Sequence, residues 1–318
     1  MTNPKIALSI PGYKITEEIQ AGSKTLIYRA IRKSDQKLVI LKVLASEYPS
    51  LEELARLKHE YEITSNLEIH RLIKPLAIEP LQNRLMLVFE DEGGESLKQV
   101  LMQQKLDLKT FLQIAIQLTE TLGELHQAQI VHKDIKPSNL IILNHAQSLS
   151  VRLTDFSIAT RLSRETQTLN HHPTLLEGTL AYMSPEQTGR MNRCLDYRTD
   201  FYSLGITFYE MLAGQLPFVA EDPLELIHCH IAKQPVSLQV LMPEIPPAVS
   251  EIVMKLMAKT AEDRYQSAYG IKADLEYCLT HLNDPDTLKY FQPGQWIKVV
   301  NLSFPKNSTD AIAKLPAS

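Results

Sequence analysis

The stretch Ile130-Val-His132-Lys-Asp134-Ile-Lys136-Pro-Ser-Asn139-Leu140 decides how this chain is read. Two short apolar runs, Ile130–Val131 and Leu140–Leu143, enclose a loop that offers an aspartate, a lysine and an asparagine. Polar side chains held between packed walls need partners or a ligand, because burying them alone is costly. Sixteen residues after Asn139, Leu153-Thr-Asp155-Phe156-Ser157 sets a second carboxylate at the end of another apolar run. Two oxygen ligands with a lysine between them suit Mg²⁺ and a phosphate, since Mg²⁺ takes one or two carboxylates plus substrate phosphates.

Upstream, residues 13–45 alternate in strand fashion, with polar turns such as Lys33-Ser-Asp-Gln36 between the runs. Ser50 opens a helix, with Glu53 completing a capping box, and the inward stripe is Leu57, Glu60, Ile63 and Leu67. Two more strands are expected near Ala77–Glu79 and Leu85–Phe89, and Gly93-Gly94 mark a break. Lys42 lies mid-strand between Val39-Ile40-Leu41 and Val43-Leu44, so its ammonium needs a counter-charge or a ligand. Glu60 is the inward carboxylate of the next element, whereas Glu62 has Lys58, Ser65 and Asn66 as neighbours and is solvated. Taken alone, a structural ion pair or a snorkelling lysine is the favoured account of these two charges.

Downstream, Phe111–Leu125 has the period of a long amphipathic helix. A polar stretch follows Asp155 to about Arg193 and contains Gly178-Thr179-Leu-Ala-Tyr182-Met-Ser184-Pro185-Glu186. Helical patterns resume at Thr199–Ala213, Leu224–Ala232, Ala248–Ala258 and Ser267–Leu282. The simplest architecture is α+β: a small sheet-rich lobe, then a larger helical lobe. The net charge of −4 over 318 residues gives no basic excess for nucleic acid or an anionic membrane. Cys194, Cys229 and Cys278 are odd in number and widely spaced, which excludes a disulfide framework and fits a reducing, cytoplasmic setting. Neither a signal core nor a run near the ~18 apolar residues of a membrane helix is present.

The ordered set Val39-Ile-Leu-Lys42, Glu60, His132-Lys-Asp134 with Asn139 five on, Asp155-Phe-Ser157 and Ser184-Pro-Glu186 resembles a eukaryotic-type (Hanks-type) Ser/Thr protein kinase. The resemblance runs from about Tyr13 to Leu282. The stretch Leu175–Arg193 is similar to the N-terminal kinase domain of large cyanobacterial multidomain signalling proteins, in which an ATPase module usually follows. The resemblance implies a bilobal fold with its N-lobe in 1–90, a hinge at 90–94, its C-lobe in 91–282 and a tail of unknown role in 283–318. It implies that Lys42 holds the α- and β-phosphates of ATP and is braced by Glu60. Asp134 then accepts the substrate hydroxyl proton, Lys136 offsets γ-phosphate charge, and Asn139 and Asp155 hold Mg²⁺. Gly22, Ile27, Ile40, Phe89 (the gatekeeper), Glu90 and Glu92 fall around the nucleotide. Glu186 with Arg264 is the implied anchor of the substrate-binding segment, and Asp200 steadies the catalytic loop.

Four departures stand out. Gln20-Ala-Gly22-Ser-Lys-Thr25 keeps only the middle glycine of the phosphate loop, which limits close backbone approach to phosphate. Ile40 stands where the family has alanine above the adenine. Overpacking costs ~1–3 kcal/mol against at most ~0.8 kcal/mol per methylene gained, so crowding and weak ATP binding are expected. Ser157 replaces a glycine and makes positive φ less accessible there. Lys133 replaces the arginine whose fork reads a phosphorylated loop, so dependence on Ser163, Thr166, Thr168 or Thr174 phosphorylation should be weak. His228-Cys229-His230 is expected to pack rather than bind metal, His171-His172 to be solvated, and Trp296 to dock on the helical lobe or be a remnant. The implied function is an ATP- and Mg²⁺-dependent protein Ser/Thr kinase acting on protein substrates, with autophosphorylation among its reactions. The alternative is a pseudokinase-type scaffold with weak nucleotide affinity. A small-molecule phosphotransferase is disfavoured by the Gly178–Glu186 apparatus with Arg264.

Overall fold

The computed structural model describes residues 9–145, 148–162, 178–191, 193–289 and 291–294. Strands β1 (Tyr13–Ala21), β2 (Thr25–Arg32), β3 (Leu38–Leu44), β4 (Pro75–Leu81) and β5 (Arg84–Glu90) pair antiparallel in the order β1-β2-β3-β5-β4. Side chains alternate across the sheet. Val39, Leu41 and Val43 join Tyr28 and Ala30 in the core of one face. Ile40 and Leu44 lie on the other, with Leu87 and Phe89, where helix α1 (Leu51–Ser65) packs. The predicted capping box starts α1: Glu53 N–H donates to Ser50 Oγ, and Ser50 N–H donates to Glu53 Oε2 at 2.8 Å.

The second lobe holds α2 (Leu97–Gln103), α3 (Leu108–Gln127), α4 (Arg198–Ala213), α5 (Pro223–Ala232), α6 (Leu238–Leu241), α7 (Pro247–Leu256), α8 (Ala268–Thr280) and α9 (Pro285–Lys289). Short strands β6 (Glu95–Ser96), β8 (Leu140–His145) and β9 (Ser148–Leu153) form one small sheet, while β7 (Ile130–Val131) pairs with β10 (Thr160–Arg161). Helix α4 is buried on every side from Thr199 to Tyr209, as a core helix must be. Gly205 lets it approach α7, since a Cβ there would sit 2.8 Å from Leu256. Helix α2 was not marked by any apolar period. Its signal was the Ser96/Gln99 capping box, which is formed.

Packing crosses both expected boundaries. The segment before residue 90 is not confined to the sheet lobe: Ile63, Leu67, Ile69 and Leu72 are buried in the helical lobe's core. Backbone bonds tie the same segment down, from Ile73 N–H to Leu153 O and from Leu153 N–H to Arg71 O, each at 2.9 Å. Nor does the helical lobe stop at Leu282. Leu288 and Phe291 are buried, Phe291 stacks on Tyr277, and Gly294 N–H donates to Asp274 Oδ2 at 2.7 Å. Apolar residues too sparse to show a period still close the end of the core.

Candidate active site

Strand β3 delivers Lys42 to the seam between the lobes. Its Nζ donates to Glu60 Oε2 at 2.6 Å and to Asp155 Oδ1 at 2.9 Å. Burial opposes the Lys42 charge, but Asp155 and Glu60 outweigh it and raise its pKa. Burial alone would likewise raise Asp155, yet the adjacent Lys42 holds it below the usual carboxylate range. Glu60 goes the other way, because its burial prevails over the pull of Lys42. The outcome is a cation shared by a carboxylate from each lobe, buried on the Glu60 side and partly open to solvent at Asp155.

The loop after β7 presents Asp134. Its Oδ2 accepts from Lys136 Nζ at 2.5 Å and from Asn139 Nδ2 at 3.1 Å, and its Oδ1 accepts from the Thr179 amide at 3.0 Å. Three donors fix the direction of the carboxylate. Asn139 Nδ2 also donates to Asp134 O at 2.9 Å, and its Oδ1 accepts from Ser138 Oγ at 3.5 Å. An amide oxygen and the Asp155 carboxylate are the kind of hard-oxygen set that Mg²⁺ prefers. Lys42 and Lys136 supply the charges that phosphate oxygens need beside it. The side chains therefore fit a metal–nucleotide pair.

Asp200 at the start of α4 holds the loop from below. It accepts from the His132 amide at 2.9 Å, the Lys133 amide at 2.8 Å and His126 Nε2 at 2.9 Å. Lys133 and Asp155 both sit in the left-handed region, at φ +67°. Ser157 does not, so the expected penalty for its missing glycine is not incurred in this arrangement. Lower down, Arg264 is fully used. Its Nη1 and Nη2 grip Glu186 at 2.6 and 2.9 Å, and its other N–H groups reach Ala258 O, Lys259 O and Arg198 O.

Around the expected nucleotide, Ile27 lies opposite Lys42 in the β2–β3 register, and Ile40 lies opposite Phe89 in β3–β5. Phe89 is buried, Ile40 only partly. Gly22 closes a tight turn, its N–H donating to Thr25 O at 2.9 Å. Glu90 is exposed. Glu92 accepts from Arg152 Nε at 3.1 Å, and Asp91 from Arg29 Nε at 2.7 Å.

Two residues to which the sequence assigns no individual role also contribute. Thr179 meets Lys136 through its hydroxyl and Asp134 through its amide, and Gln187 Nε2 donates to Lys133 O at 2.9 Å. Their neighbour Gly178, at φ +109°, was the available signal for a constrained backbone. His228 is exposed, whereas Cys229 and His230 are buried and His230 Nδ1 bonds Tyr202 OH at 3.1 Å. Ser163, Thr166, Thr168, His171, His172, Thr174 and Trp296 lie outside the described residues.

The protein kinase domain family matches residues 13–275. A probable serine/threonine-protein kinase of Clostridium perfringens is 30% identical over 266 residues, covering 83% of this chain and 38% of that protein. Serine/threonine-protein kinase PrkC of Bacillus subtilis is 30% identical over 83% of this chain and 40% of its own length. The hybrid signal transduction histidine kinase G of Dictyostelium discoideum is 33% identical over 54% of this chain and 7% of its own length. The chain spans less than half the length of each of these relatives.

Proposed function

The chain belongs to the protein kinase domain family, and from that premise we propose that it is a protein Ser/Thr kinase using ATP and Mg²⁺. The observation that carries the proposal is Lys42 meeting Glu60 and Asp155 at once, which brings the phosphate-binding and metal-binding sides of the seam together. Asp134 orients the incoming Ser or Thr hydroxyl and takes its proton as oxygen bonds to the γ-phosphorus and the bridging oxygen leaves with ADP. Lys136, within reach of the same carboxylate, balances the charge on the moving phosphoryl group. Asn139 and Asp155 would hold Mg²⁺, which when bound neutralises phosphate charge. Protein substrates and autophosphorylation belong to this proposal. So does placement as one module of a longer signalling protein, which the likeness to the Dictyostelium hybrid kinase supports.

A specific observation favours the scaffold alternative: the Gly22 amide already donates to Thr25 O within its own turn. The deciding experiment incubates the purified chain with γ-labelled Mg-ATP, alone and with a generic Ser/Thr substrate. Label should pass to protein in the wild type. It should be lost in Asp134→Asn, which cannot take a proton but keeps the fold and nucleotide binding. Transfer at the wild-type rate by Asp134→Asn would sink the assignment, and absence of transfer in the wild type would favour the scaffold.

A further inference from the structure

The segment joining the lobes is pinned to both of them by its own acidic side chains. Asp91 Oδ2 accepts from Arg29 Nε of β2 at 2.7 Å, and Glu92 Oε2 accepts from Arg152 Nε of β9 at 3.1 Å. Neighbouring carboxylates thus pull on opposite lobes. The upper contact is the better buried, with the Asp91 side chain 5% exposed. The second Asp91 oxygen accepts from Gly93 N–H at 2.9 Å. Arg29 does more than pair with Asp91, because its Nη1 also donates to Glu17 on β1. One guanidinium therefore ties the outer strand, the second strand and the connecting segment.

Its place in the sheet gives this tie a consequence. Tyr28 and Ala30 point into the core of one face, so Arg29, like Ile27, lies on the opposite face. It pairs in register with Ile40, beside Phe89 and next along from Lys42. We propose that Arg29 is a positioning residue of the nucleotide site: by holding Glu17 and Asp91 it sets the height of the β1–β2 roof above the connecting segment. A chain whose roof keeps only Gly22 of the usual glycines gains little from a mobile loop and depends on a fixed one. Without Arg29 the buried Asp91 carboxylate retains only the Gly93 amide, a costly state that the connecting segment escapes by moving outward.

This rests on the nucleotide reading above, and its test separates the two. Mg-ADP is titrated calorimetrically into the wild type, Arg29→Met, Asp91→Asn and the double variant. Each single change should weaken Mg-ADP about tenfold, and the double should be no worse than Arg29→Met alone. The loss should fall on KM for ATP more than on kcat, and Arg29→Lys, with charge but no fork, should restore only part of it. Added salt should weaken the wild type more than the double variant. Wild-type affinity in both Arg29→Met and Asp91→Asn overturns the proposal and leaves the nucleotide reading standing. Failure of the wild type to bind Mg-ADP brings down the nucleotide reading, and this proposal with it.

Discussion

Thr179 holds Asp134 with its backbone, the amide donating to Oδ1 at 3.0 Å, while its hydroxyl meets Lys136 Nζ. The end of the segment after Asp155 thereby reaches the carboxylate proposed to accept the proton, 45 residues away in the chain. Thr179→Ala keeps the amide and removes the hydroxyl, so Lys136 loses an anchor but Asp134 keeps its aim. The expected result is a fall in kcat of about tenfold, the equivalent of ~1.4 kcal/mol, with Thr179→Ser near the wild type. Steady-state kinetics at saturating ATP checks it, and equal activity in Thr179→Ala would remove the hydroxyl from the site.

Lys42 and Glu60 should not act independently. Lys42→Met and Glu60→Gln each break one contact of a single buried cluster, so a double-mutant cycle on kcat/KM should show coupling of about 1–3 kcal/mol. Because Lys42 also holds Asp155, Glu60→Gln should cost less than Lys42→Met. Additive losses would mean that the 2.6 Å contact has no part in catalysis.

The Glu186–Arg264 pair makes a prediction about stability. Both side chains are almost wholly buried, and all the guanidinium donors are placed. Arg264→Met strands a buried carboxylate and should cost about 3–5 kcal/mol, while changing both residues to apolar ones should cost less than Arg264→Met alone. Urea denaturation of the three proteins measures this. Arg264→Lys should behave like a loss, since one ammonium cannot replace a five-donor fork.

His230 supplies a pH test. Burial, then the nearby Lys259 charge, lowers its pKa from 6.5 to about 4. Between those values the unfolded chain binds the extra proton and the folded chain does not, so this residue's contribution is complete above pH 6.5 and is lost as pH falls toward 4. His230→Asn has no proton to gain. The difference in Tm between wild type and His230→Asn should therefore shrink or reverse from pH 7 to pH 4.5, measured by calorimetric scans. A constant difference would mean that the histidine takes up its proton as readily in the fold as in the unfolded chain.

What the sequence disclosed and what it withheld divide along physical lines. Asp134, Asn139 and Asp155 were legible because acidic and amide side chains between apolar runs have few bland explanations. Glu60 was legible because helical periodicity distinguished it from Glu62. Arg29–Asp91 was not, since its members lie 62 residues apart and each is an ordinary surface type in its own strand or turn. Thr179 reaches Asp134 through its own amide and Gln187 reaches the carbonyl of Lys133, contacts that residue identity does not advertise. The left-handed φ of Asp155 was not legible, because a missing glycine at Ser157 draws attention to itself whereas φ at an aspartate leaves no mark in the sequence.

That turn has a consequence for molecules designed against the chain. Any rearrangement that shifts the left-handed conformation from Asp155 to residue 157 must place it on a serine, at ~1–2 kcal/mol, where a glycine would adopt it almost freely. Such conformers are then depleted roughly tenfold relative to a glycine-bearing chain, and an inhibitor that selects them loses the same factor in apparent affinity.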